Sequence, residues 1–314
     1  MNLSISVIIP TMNRPDSLNR TLSYIVKSVD LPKEIIVVDQ SVSSETQCVN
    51  KRVLQNYESI VENIIYVYQE IPSSTKARNT GFEMATQEII VFSDDDVDVR
   101  PSTFSNIKSL MNDKTISMIG GVCNERPATN SLLGYVFFMS SFKKRKTGHM
   151  TLGTYGKFPI VKGDQVPTEW AMGFFFVVRR SLMLKWNSKF DEKLKYYAYA
   201  EDLDFSYCYY LKSKKENYRC IMSDQLTVRH NVSNEYRIPS YKATVMTVLH
   251  REYICYKYHP SLIYRMANAW NNLGMLLFRI LRKERPVDYV KALLFLYKYH
   301  KDVLIGNFHY DEFM

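Results

Sequence analysis

The first hundred residues alternate short apolar runs with amphipathic stretches, and few folds accommodate that pattern. Ile5–Pro10 is an apolar run of strand length, and Asp16–Val29 then carries Leu18, Leu22, Ile25, Val26 and Val29 at helical spacing. Glu34–Asp39 reads as a second buried strand and Asn63–Tyr68 as a third. Ser74–Ala85 reads as a helix and Glu88–Ser93 as a fourth strand. Such alternation implies right-handed βαβ units, hence an α/β fold whose mostly parallel central sheet has helices on both faces. Ligands of such sheets bind beyond the carboxyl ends of the strands. Three of these strands end on polar groups: Thr11, Asp39 and Asp94.

Other features narrow the class. The 314 residues can bury one large core or two smaller ones. No apolar run approaches the roughly 18–20 residues of a membrane span, and Leu132–Phe142 is too short. No secretory leader pattern opens the sequence, so the expected location is cytoplasmic. The cysteines are five, scattered and never paired as Cys-x-x-Cys, which excludes a disulfide framework and a cysteine zinc site. The excess of positive charge sits in the tail: Tyr241–Lys301 holds eleven Lys/Arg against three Asp/Glu, and the rest of the chain is near neutral. Met118–Pro167 contains Gly120-Gly121 and the basic cluster Lys143-Lys144-Arg145-Lys146, and suits a mobile region over a site.

Asp94-Asp95-Asp96, at the end of the fourth strand, is the sharpest local feature. Adjacent carboxylates repel, and a hard divalent cation that bridges a diphosphate compensates them well. A solvated acidic turn before a helix is the competing reading. The context carries the argument further. Ser6-Val7-Ile8-Ile9-Pro10-Thr11-Met12-Asn13-Arg14, Ile36-Val37-Val38-Asp39, Lys76-Ala77-Arg78-Asn79-Thr80-Gly81 and Val91–Asp96 follow one another. Gly173–Arg180, Phe190-Asp191-Glu192, Glu201-Asp202-Leu203-Asp204 and Val228-Arg229-His230 come after them. In order and spacing this series resembles family 2 of the glycosyltransferases, over about residues 4–232.

The resemblance implies a GT-A fold with a Rossmann-like sheet, and inverting transfer of a sugar from a nucleoside-diphosphate donor, UDP-linked by expectation, to an acceptor hydroxyl. It implies Mn²⁺ or Mg²⁺ as cofactor. It implies that Pro10, Thr11, Asn13, Arg14, Asp39, Arg78, Asp94 and Asp95 contact the donor nucleotide. Asp39 would read the base, Arg78 would meet the base or the diphosphate, and Asp94 the ribose, with Asp95 between the ribose and metal roles. Asp96 and His230 would hold the metal, and Asp202, supported by Glu201, would be the catalytic base. Trp170 and Gly173 would line the acceptor pocket. Each has a plainer alternative: Asp39 a strand-end turn, Arg78 a surface residue, His230 a structural histidine, Glu201-Asp202 a helix start, and Trp170 ordinary core.

The domain reading is a catalytic unit over 1–238, with 1–98 binding the donor and 99–238 the acceptor, followed by a basic helical extension over 239–314. In that extension Leu262, Met266, Trp270, Leu273, Leu277, Ile280 and Leu281 share one face. Such a stripe suits a seat on anionic lipid, at the inner face of the cell membrane, or packing on the catalytic unit or on a second copy in a homo-oligomer. The expected acceptor is a glycan or lipid-linked glycan, as in bacterial surface polysaccharide synthesis. Two rival functions remain. A nucleotidyltransferase wants a glycine-rich phosphate loop after the first strand, where this chain has Pro10–Arg14. A nucleic-acid-binding protein using the tail would leave both acid clusters unexplained, so no nucleic acid is expected as a partner.

Overall fold

The computed structural model describes residues 3–123, 131–141, 146–159, 161, 165–196, 199–231 and 239–314. Residues 143–145 of the basic cluster lie outside them.

The first half follows the alternation read from the sequence: β1 (Ile5–Thr11), α1 (Pro15–Ile25), β2 (Glu34–Asp39), α2 (Ser44–Gln55), β3 (Asn63–Tyr68), α3 (Ser74–Met84) and β4 (Ile89–Ser93). The expected first helix stops at Ile25 rather than Val29. The chain turns there, and the Val29 N–H donates to the Pro101 carbonyl. The second half supplies β5 (Val97–Asp98), α4 (Thr103–Met111), β6 (Ile116–Cys123), α5 (Leu132–Val136), β7 (His149–Met150), β8 (Gly156–Lys157), β9 (Val166–Pro167), β10 (Phe175–Arg179), α6 (Arg180–Lys185), α7 (Glu201–Lys215) and β11 (Arg219–His230). The sheet order is β3-β2-β1-β4-β10-β6-β11-β5, with β9 beside β11. All the long strands run one way except β10, which is antiparallel to both β4 and β6.

Strand alternation divides the core between the two faces. Ile5, Val7 and Ile9 of β1 pack with Leu18 and Leu22 of α1 and with Phe104 and Ile107 of α4. Ile8, between them, points to the opposite face, with Ala77 and Phe82 of α3 and Phe205 and Tyr209 of α7. There α3 lies directly on the sheet: a Cβ at Gly81 would stand 2.3 Å from Ile8 Cγ2. Phe92, Phe176, Phe190 and Phe205 form an aromatic cluster on the same face, with Phe190 and Phe205 stacked at 4.1 Å.

One expectation is corrected here. The region from Met118 does not open as a mobile segment, because Ile116–Cys123 is an interior strand between β10 and β11. Its glycines serve close approach: a Cβ at Gly121 would stand 2.6 Å from the Phe175 carbonyl oxygen.

The chain then forms α8 (Ser240–Tyr258), α9 (Leu262–Arg282), α10 (Pro286–Lys298) and α11 (His300–Leu304). Val245, Val248, Leu249 and Ile254 of α8 share a third core with Leu194, Trp170, and Leu203 and Tyr207 of α7. Residues after Pro239 are thus continuous with the packing of α7 and the chain before it. Among the described residues no helix is long and apolar enough to cross a membrane.

Candidate active site

The carboxyl ends of β1 and β4 open into a cavity of about 610 Å³, a size that suits a bound small molecule. Pro10, Thr11, Arg14, Arg78, Asp94, Asp95 and Glu201 line it, together with Gln40, Tyr196 and Lys242.

The three aspartates after β4 have three different surroundings. Asp95 turns inward: the Thr11 hydroxyl donates to its Oδ2 at 2.7 Å, and Arg14 donates to Oδ1 at 3.3 Å. Burial pushes its carboxyl up to about 7, with Arg14 pulling the other way. Asp95 therefore fastens the loops after β1 and β4 to each other. Asp94 and Asp96 instead form a group with His230, whose donor atoms all lie within 4.8 Å of one another. The histidine arrives from 134 positions away because β11 pairs antiparallel with β5, in a register that sets His230 opposite Val97. Its Nε2 lies 3.0 Å from Asp96 Oδ1, and its ring stacks on Phe174 at 5.1 Å. Two carboxylates and an imidazole with a fixed ring form a donor set that fits Mn²⁺, and fits Mg²⁺ less well.

Across the cavity Arg78 joins the two acidic clusters. Its guanidinium, 4% exposed, donates to Glu201 Oε1 at 2.8 Å and to Asp94 Oδ1 at 2.9 Å. It reaches the Gly173 carbonyl at 3.3 Å. Burial raises Asp94 above its ordinary value against the pull of Arg78, and the neighbouring Asp96 adds to the rise. Burial likewise drives Glu201 up to about 8, again against Arg78. Asp202 opens α7, where the positive helix end favours an anion. Its Oδ2 accepts from the Gly173 N–H at 2.9 Å and its Oδ1 from the Leu203 N–H at 2.7 Å. Burial raises Asp202 too, and these two backbone donors oppose it. Gly173 thus touches both Arg78 and Asp202, and a Cβ there would stand 3.1 Å from Asp202 Cβ.

Seven expected site residues are not part of the cavity lining: Asp96, His230, Asp202 and Gly173, described above, and Asp39, Asn13 and Trp170. Asp39 is fully buried, holding the Ser41 N–H, the Asn50 amide and the Tyr66 hydroxyl, while Gln40 and Val42 face the cavity. Asn13 takes a positive φ of 54° and bridges to the β2 loop through Ser41 and Val42, so it shapes the loop. Trp170 is 6% exposed. Phe158 stacks on it at 4.1 Å, and its N–H donates to the Lys157 carbonyl. Its indole packs into the core that α7 and α8 share.

Sequence reasoning missed Lys242 and Tyr196, which line the cavity. Lys242 comes from a tail that no motif covers. Tyr196 is set by an isolated bridge to Ser73 that only the folded chain creates.

The sequence model of Glycosyl transferase family 2 matches residues 6–183. The chain belongs to family 2 of the glycosyltransferases. A Campylobacter jejuni relative, GalNAc(5)-diNAcBac-PP-undecaprenol beta-1,3-glucosyltransferase, is 25% identical over 247 residues, which are 74% of this chain and 70% of that one. Among solved structures, the mannosyltransferase PcManGT of Pyrobaculum calidifontis, in complex with GDP-Man and Mn²⁺, has a TM-score of 0.59 at 18% identity. The match covers 99% of this chain and 85% of that one. TarS residues 1–349 of S. aureus give 0.52 at 16% identity, covering 99% and 90%. These likenesses show the GT-A fold. The family favours glycosyl transfer over the nucleotidyltransferase reading, and one member of each acidic cluster, Asp94 and Glu201, lines the same cavity.

Proposed function

We propose that this enzyme transfers a sugar, with inversion, from a UDP-linked donor to a hydroxyl of a glycan carried on a lipid. The observation that carries the reading is the bridge that Arg78 makes at one cavity between Asp94, which is grouped with Asp96 and His230, and Glu201, which precedes Asp202 on α7. The C. jejuni relative, whose name specifies an undecaprenol-linked acceptor, supports the acceptor class.

Asp94, Asp96 and His230 would hold Mn²⁺ or Mg²⁺, which when bound neutralises charge on the donor diphosphate. Arg78 and Arg14 supply further positive charge where that diphosphate departs. Asp202, fixed by two backbone N–H groups, takes the acceptor proton. As the acceptor oxygen bonds to the anomeric carbon, the bond from that carbon to the diphosphate oxygen breaks on the opposite side, and the nucleoside diphosphate leaves. Glu201, paired with Arg78, orients the guanidinium and faces the acceptor. A cytoplasmic location, at the inner face of a cell membrane, fits this acceptor.

The test is a panel of UDP-, dTDP- and GDP-sugars with Mn²⁺ and a lipid-linked oligosaccharide, with the product anomer assigned by NMR. Turnover of UDP-sugars to a product of inverted configuration is expected. Turnover of GDP-sugars alone overturns the base assignment, and retained configuration overturns the single-displacement mechanism.

A further inference from the structure

Helix α9 is built inside out. Its buried face is polar: Asn268, Asn271 and Asn272 all accept hydrogen bonds from Arg251, which is buried in α8, at 2.9, 2.6 and 3.1 Å. Its solvent face is apolar, with Leu262, Ile263, Met266, Trp270, Leu273 and Leu277 exposed and Ile280 and Leu281 continuing the row. At the helical pitch these side chains fall within about 100° of one another. Water gives no reason for that arrangement, and contiguous apolar patches of this kind mark contact surfaces.

A second element widens the face. Helix α5 is fastened beside α9: the Trp270 indole N–H donates to the Val136 carbonyl at 2.9 Å, and the Asn271 amide donates to the Phe137 carbonyl at 2.8 Å. Gly274 makes room for the Phe137 ring, which a Cβ there would meet at 2.2 Å. Seated this way, α5 exposes Leu132, Leu133 and Val136. Where α9 turns into α10, Arg282, Lys283 and Arg285 are all exposed.

We infer that α5 and α9 together form a plate that inserts into one leaflet of an anionic bilayer, with the basic turn on its headgroups. Charge decides the occupant. Two copies meeting through this face would bring together their exposed turns, each with Arg282, Lys283 and Arg285 against Glu284, whereas acidic lipid complements that positive charge. Apolar insertion and headgroup attraction then add, as for other interfacial helices. The inference shares with the proposed function only a lipid-borne acceptor, and it is tested without turnover.

The test is flotation of the full chain with vesicles of phosphatidylcholine alone or with phosphatidylglycerol, with quenching of tryptophan fluorescence by brominated acyl chains. Flotation with the acidic vesicles, weakening as salt rises, and quenching lost in Trp270→Phe are expected. Leu273→Ser with Leu277→Ser, both at exposed positions, should weaken binding at least about tenfold, and Leu133→Ser should weaken it further. The leucine variants, which remove no hydrogen bond, should keep the wild-type melting temperature. No flotation of the wild type at low salt, undiminished binding by the leucine variants, or a concentration-dependent dimer that they abolish would each overturn the inference. Vesicle binding without sugar transfer would instead count against the proposed function.

Discussion

Replacing Asp202 by asparagine separates its chemical role from its structural one. Both carboxylate oxygens accept a backbone N–H, from Gly173 at 2.9 Å and Leu203 at 2.7 Å. Asparagine has one acceptor oxygen, so whichever way the amide turns, its NH₂ faces one of these donors. The lost hydrogen bond costs about 1–3 kcal/mol, and the lost charge at the α7 terminus roughly another 0.3–1 kcal/mol. Removing an ion that burial already disfavours works the other way, leaving a net destabilisation of about 1–2 kcal/mol, or roughly 2–3 °C in Tm at this chain length. Turnover should fall far more, by about 10²–10⁴-fold, with the donor KM little changed. The pH profile supplies the sign. Burial raises the Asp202 pKa above its ordinary 3.8, so the wild-type rate should fall as pH drops through that raised value. The acid limb then lies above the ordinary value of an aspartate and should vanish in Asp202→Asn. Initial rates from pH 4 to 9, beside thermal melts, make the measurement. An Asp202→Asn enzyme that keeps more than about a tenth of kcat, with Glu201→Gln inactive, would refute the assignment.

EDTA should abolish transfer and Mn²⁺ restore it, as coupled nucleotide-release assays would record. Asp96→Ala should lose activity yet melt no lower than the wild type, because it removes one of two mutually repelling carboxylates. Arg78→Lys keeps the charge but cannot reach Asp94, Glu201 and the Gly173 carbonyl at once, so kcat/KM should drop by on the order of 10–100-fold; an unchanged value would deny Arg78 its bridging role. Gly81→Ala drives a methyl against Ile8 and should cost about 1–3 kcal/mol by denaturant titration. Adding Ile8→Ala should give a double variant less destabilised than the two single costs together.

The first four strands were legible because all read as apolar runs: β1, β2 and β4 are buried on both sides, and the edge strand β3 is partly buried. β2 and β3 begin and end where the sequence placed them, and β1 and β4 differ by one residue. Helix α2 escaped because its sequence is mostly polar and buries only Asn50, Val53 and Leu54. β6 escaped because Gly120-Gly121 looked like a loop, when it marks tight contact with Phe175 and Ala171. The reversed direction of β10 leaves no mark on composition. At the site, residue types in order were enough to single out Asp94, Asp96, Arg78, Glu201, Asp202 and His230. Which of three adjacent aspartates turns inward, and whether Trp170 keeps an open face, depend on partners far away in the chain.

Helix α7 is gripped from two sides, by the sheet through Phe205 and Tyr209 and by α8 through Leu203 and Tyr207. Lys257 and Tyr258 of α8 also clamp Asp204, two positions beyond Asp202. A fragment trimmed near residue 239 would keep every acidic residue of the cavity and still lose one jaw of this vise. The bared leucine and tyrosine side chains would favour clumping, and the first turn of α7 would be free to swing. Anyone seeking a smaller working version of the enzyme should therefore shorten it elsewhere, since the tail helps to aim the carboxylate.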